Sequence, residues 1–168
     1  PEQEPQVGQV SARLGNGFIP AAAVGADHHA VAGALGASAH VFLLGGAYRA
    51  DNRQTVGPLA IEQIGRFQAD RAILTVAALD REAGAMDADF DEAQIARAMI
   101  ANARTTVVLA AASKFGRRAA FSVCRPERID LLVTDRPPPD ELAMDLHAAG
   151  ASVLVAEREP ATLRRPAA

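Results

Sequence analysis

The chain has 168 residues, of which 49% are hydrophobic and 22% are charged. This length and composition are typical of one soluble globular domain with a substantial buried core. No apolar run approaches the length that a membrane span requires. The formal net charge of −3 argues against a nucleic-acid surface spread over the whole chain.

The two ends of the chain carry little apolar periodicity. We expect residues 1–15 to be a disordered lead-in and residues 158–168 to be a frayed tail, on either side of one domain at 16–157. The opening residues lack the basic-then-apolar pattern of a secretory signal. Cys124 is the single cysteine, so the chain cannot form an intrachain disulfide. These features predict a cytoplasmic protein.

The apolar pattern predicts strands that alternate with helices. The alanine-rich segment 19–37 predicts one helix or two short ones. After it, short apolar runs predict buried strands at 40–44, 71–79, 105–110, 129–133 and 152–156. Apolar residues at helical spacing predict helices at 58–67, 91–104 and 138–149. Asp89 or Asp91 is the expected N-cap of the second of these helices, and Gly150 is expected to end the third.

This alternation predicts an α/β fold. Strands that are apolar throughout indicate a mostly parallel sheet with helices on both faces, as in Rossmann-like proteins. Ligands of such sheets bind in the crevice outside the carboxyl ends of the strands. The residues that follow the predicted strands are therefore the candidates to inspect: Gly45, Gly46, Asp80, Ser113, Lys114, Thr134 and Asp135.

Two of these turns could bind a phosphate. Gly45 and Gly46 would let backbone N–H groups approach an anion, although a Gly-Gly pair is equally an ordinary tight turn. Lys114 is the single lysine of the chain. Its ammonium would contribute roughly 4 kcal/mol at a distance of about 4 Å from a phosphate and an effective dielectric constant of about 20, before desolvation. Its location favours a binding role over a solvated loop lysine.

The acidic residues, the histidines and the cysteine give weaker evidence of a binding or catalytic site. The acidic stretch from Asp80 to Glu92 does not fit a calcium-binding loop, because Glu92 stands where a glycine is required. A solvated helix start explains it better, and Glu92 could still accept a hydroxyl group of a sugar. The four histidines show no metal-ligand spacing, so we expect no metal and no cofactor. Cys124 is expected to be a small apolar residue of the core.

Taken together, four segments resemble successive blocks of the DeoR-family sensor domain, most closely the glycerol-3-phosphate regulon repressor group. They are VFLLGGAYRADNRQTVG (41–57), ADRAILTVAALDREAGAMD (69–87), DEAQIARAMIANARTTVVLAAASKFG (91–116) and IDLLVTDRPPP (129–139). The order and spacing of the blocks carry the resemblance, which extends over about 16–156.

The resemblance implies a fold shared with ribose-5-phosphate isomerase, glucosamine-6-phosphate deaminase and CoA transferases. It implies a phosphorylated sugar or polyol as the effector, homo-oligomers, and DNA binding only through an N-terminal helix-turn-helix that we do not find in this sequence. The residues that match the ligand-binding positions of the family are Gly45, Gly46, Gly57, Asp80, Glu92, Ser113 and Lys114.

The sequence departs from the family pattern at several positions. The first strand and its Gly-Thr-Thr phosphate loop are not recognisable, and Gly15 stands where a Thr-Asn turn has threonine. Ala111 replaces a carboxylate, and Ala77 or Ala78 replaces a glycine. The main hypothesis is therefore an effector-binding domain of a transcriptional regulator. The alternatives are a sugar-phosphate isomerase or deaminase that uses Glu92 or Asp80 as a base, and a degenerate fragment that binds nothing.

Overall fold

The computed structural model describes residues 21–24, 42, 44–50 and 54–156, and only the backbone of residues 21–24. Its strands are β1 (Ala21–Val24), β2 (Ala47–Arg49), β3 (Gln54–Val56), β4 (Ala69–Thr75), β5 (Ala78–Asp80), β6 (Gly84–Asp87), β7 (Ala103–Leu109), β8 (Phe121–Cys124), β9 (Leu131–Thr134) and β10 (Ser152–Val155). Its helices are α1 (Pro58–Ile64), α2 (Phe90–Ala101) and α3 (Asp140–Ala148), and single 3-10 turns lie at Ala112–Lys114 and Pro126–Arg128.

The main sheet has five strands in the order β1-β4-β7-β9-β10, and every pairing in it is parallel. Each of these strands contains apolar residues. The longest are β4 and β7, which have seven residues each and pair with one another. Helix α2 leads into β7 and α3 leads into β10, so strands and helices alternate along this part of the chain. The predicted α/β fold with a mostly parallel sheet is confirmed.

The core lies between this sheet and its helices. Leu74 of β4, Val108 of β7 and Leu132 of β9 are fully buried and occupy neighbouring strands. Helix α2 turns one face toward them, and that face consists of Ala93, Ile95, Ala96, Met99 and Ile100. This is the stripe that its apolar spacing predicts. No helix among the described residues has both the length and the apolar character needed to cross a membrane.

A second, antiparallel sheet of three strands has the order β5-β6-β8. Gly84 begins β6 with a φ of 76°, and a Cβ at this position would lie 2.2 Å from the carbonyl oxygen of Cys124. The backbones of β6 and β8 therefore approach more closely than any side chain at this position allows. Strands β2 and β3 form a separate antiparallel hairpin.

Two of the predicted elements before residue 50 differ from the structure. Ala21–Val24 belongs to the segment predicted to be helical, but it is extended because it pairs in parallel with β4 from Ala21 opposite Arg71 to Val24 opposite Leu74. This part of the helix prediction is wrong, and the rest of 19–37 lies outside the described residues. In the strand predicted at 40–44, the two described residues have irregular backbone, and Phe42 is 67% exposed.

The predicted strand at 71–79 is also divided in the structure. It leaves the parallel sheet after Thr75, and the backbone N–H of Ala77 donates to the carbonyl oxygen of Met86 at 3.0 Å. The residues that follow form β5 in the antiparallel sheet. The other predicted strands and helices are present with shifted ends, but the strand predicted to be buried at 152–156 is exposed, because β10 lies at the edge of the sheet. As an example of a shifted end, α2 ends at Ala101, where the side chain of Asn102 donates to the carbonyl oxygen of Ala98.

Candidate functional site

The three candidate glycines lie where the β2–β3 hairpin meets α1. The backbone N–H of Gly45 donates to Oε1 of Gln63 at 3.1 Å. A Cβ on Gly46, whose φ is 151°, would lie 2.7 Å from the carbonyl oxygen of Val56. Gly57 is the N-cap residue of α1 with a φ of 93°. These glycines therefore allow the hairpin to pack on α1, and the Gly45 N–H already has a partner within the chain.

Asp80 organises the turn between β5 and β6. Its Oδ1 accepts the backbone N–H groups of Ala83 at 2.8 Å and Glu82 at 3.1 Å, and Nη2 of Arg118 at 3.2 Å. The Ala83 N–H and then the Arg118 guanidinium hold the pKa of this carboxyl below its usual value. Asp80 is therefore an ionised turn residue paired with an arginine.

Ser113 and Lys114 lie on the 3-10 turn that follows β7, at the carboxyl edge of the main sheet. Asp135, which follows β9, accepts the backbone N–H of Ala112 at 2.6 Å. This hydrogen bond lowers the pKa of the Asp135 carboxyl and ties together the loops after two neighbouring strands. On the other side, the N–H of Gly116 donates to the carbonyl oxygen of Leu79 at 2.9 Å. The turn of Lys114 is thereby fixed to the main sheet and to β5.

Asp87 is a buried carboxylate that lies within electrostatic reach of Lys114. Its Oδ1 accepts the backbone N–H groups of Ala88 at 2.7 Å and Asp89 at 3.4 Å. Burial raises the pKa of Asp87, and the ammonium of Lys114 acts in the opposite direction. The solvated helix start that the sequence predicts for this acidic stretch is wrong for Asp87, which is buried. Asp87 is the last residue of β6, and no local pattern in the sequence indicates its burial.

The N-terminus of α2 lies next to Asp87. Oδ1 of Asp89 accepts the N–H groups of Asp91 at 2.8 Å and Glu92 at 3.1 Å, so Asp89 is the N-cap, as predicted. Nη1 of Arg49 lies 3.4 Å from Oδ2 of Asp89, which joins the hairpin to this helix start. Glu92 is half-buried in the first turn. The start of α2 therefore contacts the hairpin through Asp89 and Arg49, and it contacts Asp87, which is within electrostatic reach of Lys114.

Metal binding and thiol chemistry find no support in the described residues. No group of three or more histidine, cysteine, aspartate or glutamate side chains among them is arranged to hold a metal ion. Cys124 is buried in the core cluster, and burial raises the pKa of its thiol to about 11. At neutral pH this thiol stays protonated and is a poor nucleophile.

The comparison with known families identifies the domain. Residues 23–136 match the family model described as the DeoR C terminal sensor domain. The chain belongs to this family. Its matched region contains the described hairpin, α1, α2 and the strands from β2 to β9, so it includes all seven candidate residues. The family resemblance of the sequence blocks is confirmed.

Among curated proteins, the chain is similar to repressors of transcription. It is 30% identical to the glycerol-3-phosphate regulon repressor of Escherichia coli over 99 residues, 59% of this chain and 39% of that protein. It is 27% identical to the transcriptional repressor CsqR of Escherichia coli over 119 residues, 71% and 46% of the two chains. It is 33% identical to the transcriptional regulator GlpR of Haloferax volcanii over 114 residues, 68% and 45% of the two chains. The chain thus spans less than half the length of these relatives.

Proposed function

We propose that this sensor domain reversibly binds a small phosphorylated sugar or polyol at the carboxyl edge of its parallel sheet. The placement of Lys114 carries the proposal. The turn that presents this lysine follows β7, is hydrogen-bonded through Ala112 to the loop after β9, and is hydrogen-bonded through Gly116 to β5. A cation on a turn whose backbone is hydrogen-bonded to the edge where α/β sheets bind ligands is suited to hold a phosphate.

The other candidate residues have proposed roles around this phosphate. We assign the ligand-binding site to Gly45, Gly46, Gly57, Asp80, Glu92, Ser113 and Lys114. The Ser113 hydroxyl is on the same turn as Lys114 and can donate to a phosphate oxygen. Glu92, half-buried on α2, can accept a ligand hydroxyl. Asp80 and the glycines act by shaping the turns that surround the ligand, because their described contacts are made within the chain.

Ligand binding then controls a repressor. The relatives named above are repressors or regulators of transcription, and one of them is named for glycerol 3-phosphate. We propose the same effector class here, binding without turnover, and a cytoplasmic homo-oligomer whose DNA contacts are made by a helix-turn-helix outside the described domain. Release of DNA would follow effector binding, because an effector can shift an equilibrium only toward the state that it binds more tightly.

Thermal unfolding of the full 168-residue chain tests the proposal. Glycerol 3-phosphate, other phosphorylated polyols and sugars, and inorganic phosphate are compared with their unphosphorylated counterparts. A specific ligand at about 100 times its dissociation constant stabilises the folded state by about 2.7 kcal/mol. We expect a phosphorylated compound to raise the unfolding midpoint and its unphosphorylated counterpart to leave it unchanged.

The matched variants are Lys114→Ala and Arg117→Ala. Both remove one positive charge from the same loop, but Arg117 is exposed and lies beyond the 3-10 turn. Lys114→Ala should remove the ligand-induced shift, and Arg117→Ala should retain it. Equal loss of the ligand-induced shift in both variants would show that the ligand is held by general charge attraction and not by Lys114 in particular. A cooperative unfolding transition that no compound shifts would refute effector binding by this chain.

A further inference from the structure

Gln54 is a buried amide whose polar atoms lack partners. It is 1% exposed, and within the part of the chain that the structure describes neither its Nε2 nor its Oε1 has a hydrogen-bond partner. A polar group that loses water without gaining a partner destabilises the folded state. Most buried amides are therefore paired, and the residues that the structure describes provide no partner for Gln54.

The side chain of Gln54 faces the start of α2. In the hairpin Gln54 is paired with Arg49, and residues paired across antiparallel strands project their side chains from the same face. On that face, Arg49 reaches the α2 N-cap residue Asp89 with 3.4 Å between Nη1 and Oδ2. Val56, two residues after Gln54, lies in the core cluster, whereas the hydroxyl of Thr55 donates to Leu44 on the opposite side. The amide therefore lies between the hairpin and the core, on the face of the hairpin that is turned toward the start of α2.

The chemistry of the amide selects its partner. An amide both donates and accepts hydrogen bonds, and so does a hydroxyl group. An unprotonated phosphate only accepts hydrogen bonds, so it can pair with Nε2 of the amide but leaves Oε1 unpaired. An apolar group leaves both Nε2 and Oε1 unpaired. We propose that Gln54 recognises hydroxyl groups of the effector and so distinguishes a phosphorylated polyol from other phosphorylated compounds. This inference rests on the proposed function. Lys114 binds the phosphate of the effector, and Gln54 binds its hydroxyl groups.

Binding at Gln54 requires a movement of the hairpin. Because the amide is 1% exposed, a ligand hydroxyl reaches it only when the hairpin shifts away from α2. The ion pair of Arg49 and Asp89 is a described contact that this shift stretches. Gln54 is thus placed to couple recognition of hydroxyl groups to the position of the hairpin.

The test measures stability and affinity in the full chain. Gln54→Met keeps the length of the side chain and removes its hydrogen-bonding groups. Gln68→Met makes the same change at an exposed glutamine as a control. For each variant, the unfolding midpoint without ligand and the dissociation constants of glycerol 3-phosphate and inorganic phosphate are measured. Lys114→Ala serves as the reference for loss of phosphate binding.

We expect Gln54→Met to raise the midpoint without ligand, because an unpaired amide is removed. It should weaken binding of glycerol 3-phosphate about tenfold, the loss expected for one strong hydrogen bond, and leave binding of inorganic phosphate unchanged. Lys114→Ala should weaken binding of both compounds. Gln68→Met should change neither stability nor affinity.

Four results overturn the inference. These are a lower midpoint or failure to fold in Gln54→Met, unchanged binding of glycerol 3-phosphate, equal losses for both compounds, and the same changes in Gln68→Met. If the wild-type chain binds glycerol 3-phosphate and Gln54→Met binds it equally well, the proposed function stands and only this inference fails. If the wild-type chain binds neither compound, both fail together.

Discussion

Replacing Gly84 with alanine tests the close approach of β6 and β8. The Cβ of Gly84→Ala would lie 2.2 Å from the carbonyl oxygen of Cys124 and 2.8 Å from Cα of Arg125. These are backbone atoms, so no side-chain rotation relieves the overlap. The φ of 76° is in the left-handed region, which adds a second cost for any residue with a Cβ.

The magnitude of this effect follows from the two costs. The left-handed backbone conformation costs an L-residue about 1–2 kcal/mol, and overpacking in a closely packed region typically costs about 1–3 kcal/mol. We therefore expect Gly84→Ala to lower the free energy of unfolding by about 2–5 kcal/mol if the two costs add. This is a large fraction of the stability of about 5–15 kcal/mol that is typical of a small domain.

Gly150→Ala is the matched control. Gly150 has a φ of 93°, but a Cβ at this position has no atom within 4 Å, so this variant carries only the conformational cost. Denaturant unfolding of both variants gives the comparison, and hydrogen exchange locates the loss. Gly84→Ala should lose protection in β6 and β8 in particular. If it is no less stable than Gly150→Ala, the close backbone approach is refuted.

Three further predictions concern titratable groups. Burial raises the pKa of Asp87 despite Lys114, so the ionised carboxylate destabilises the folded state above that pKa. Asp87→Asn should therefore be more stable than wild type at pH 7. Urea unfolding at lower pH should show that this gain in stability disappears. The hydrogen bond from Ala112 lowers the pKa of Asp135, so Asp135→Ala should be less stable than wild type at neutral pH. The difference in the free energy of unfolding should shrink as the pH falls below the usual pKa of a carboxyl group. An equal difference at all pH values would contradict this. The Cys124 thiol, with a pKa of about 11, should resist alkylation at pH 8 until denaturant unfolds the chain; rapid labelling of the folded protein would contradict its burial.

The main sheet could be predicted because its signals are local. The runs TTVVL of β7 and SVLV of β10 are apolar and β-branched, and both form strands of the parallel sheet. Asp89 precedes an apolar stripe of helical period and caps α2 as expected. Strand formation by an apolar run and capping of a helix depend on neighbouring residues, so a sequence pattern can indicate them; the exposure of β10 depends instead on its place at the edge of the sheet.

The short antiparallel strands could not be predicted because their own residues carry no strand pattern. Strand β6 is the short segment GAMD, and it is stabilised as a strand by β5 and by β8, whose residues follow far along the chain. Strand β3 is the segment QTV, in which nothing indicates that Gln54 is buried. The same applies to β1, which is alanine-rich and favours a helix by local propensity, but pairs with β4.

The placement of the candidate residues in the fold could be predicted in part, whereas their role in ligand binding remains a proposal. The position of Ser113 and Lys114 followed from the rule that ligand-binding loops leave the carboxyl ends of parallel strands, and the structure places them there. The contacts of Gly45 with Gln63 and of Asp80 with Arg118 join residues that are far apart in sequence, so their internal roles were not visible. Asp87 and Gln54 were missed because burial of a polar side chain has no local pattern.

The most direct test of effector binding is calorimetric titration of the full chain with glycerol 3-phosphate, in wild type and in Lys114→Ala. Saturable binding by wild type and a loss of about tenfold or more in Lys114→Ala, as expected when a charged hydrogen bond is removed, would support a phosphate-binding lysine at the sheet edge. Equal affinity in the two proteins would contradict the role of Lys114. Saturable binding by neither protein, for this compound and for the wider panel, would contradict effector binding itself.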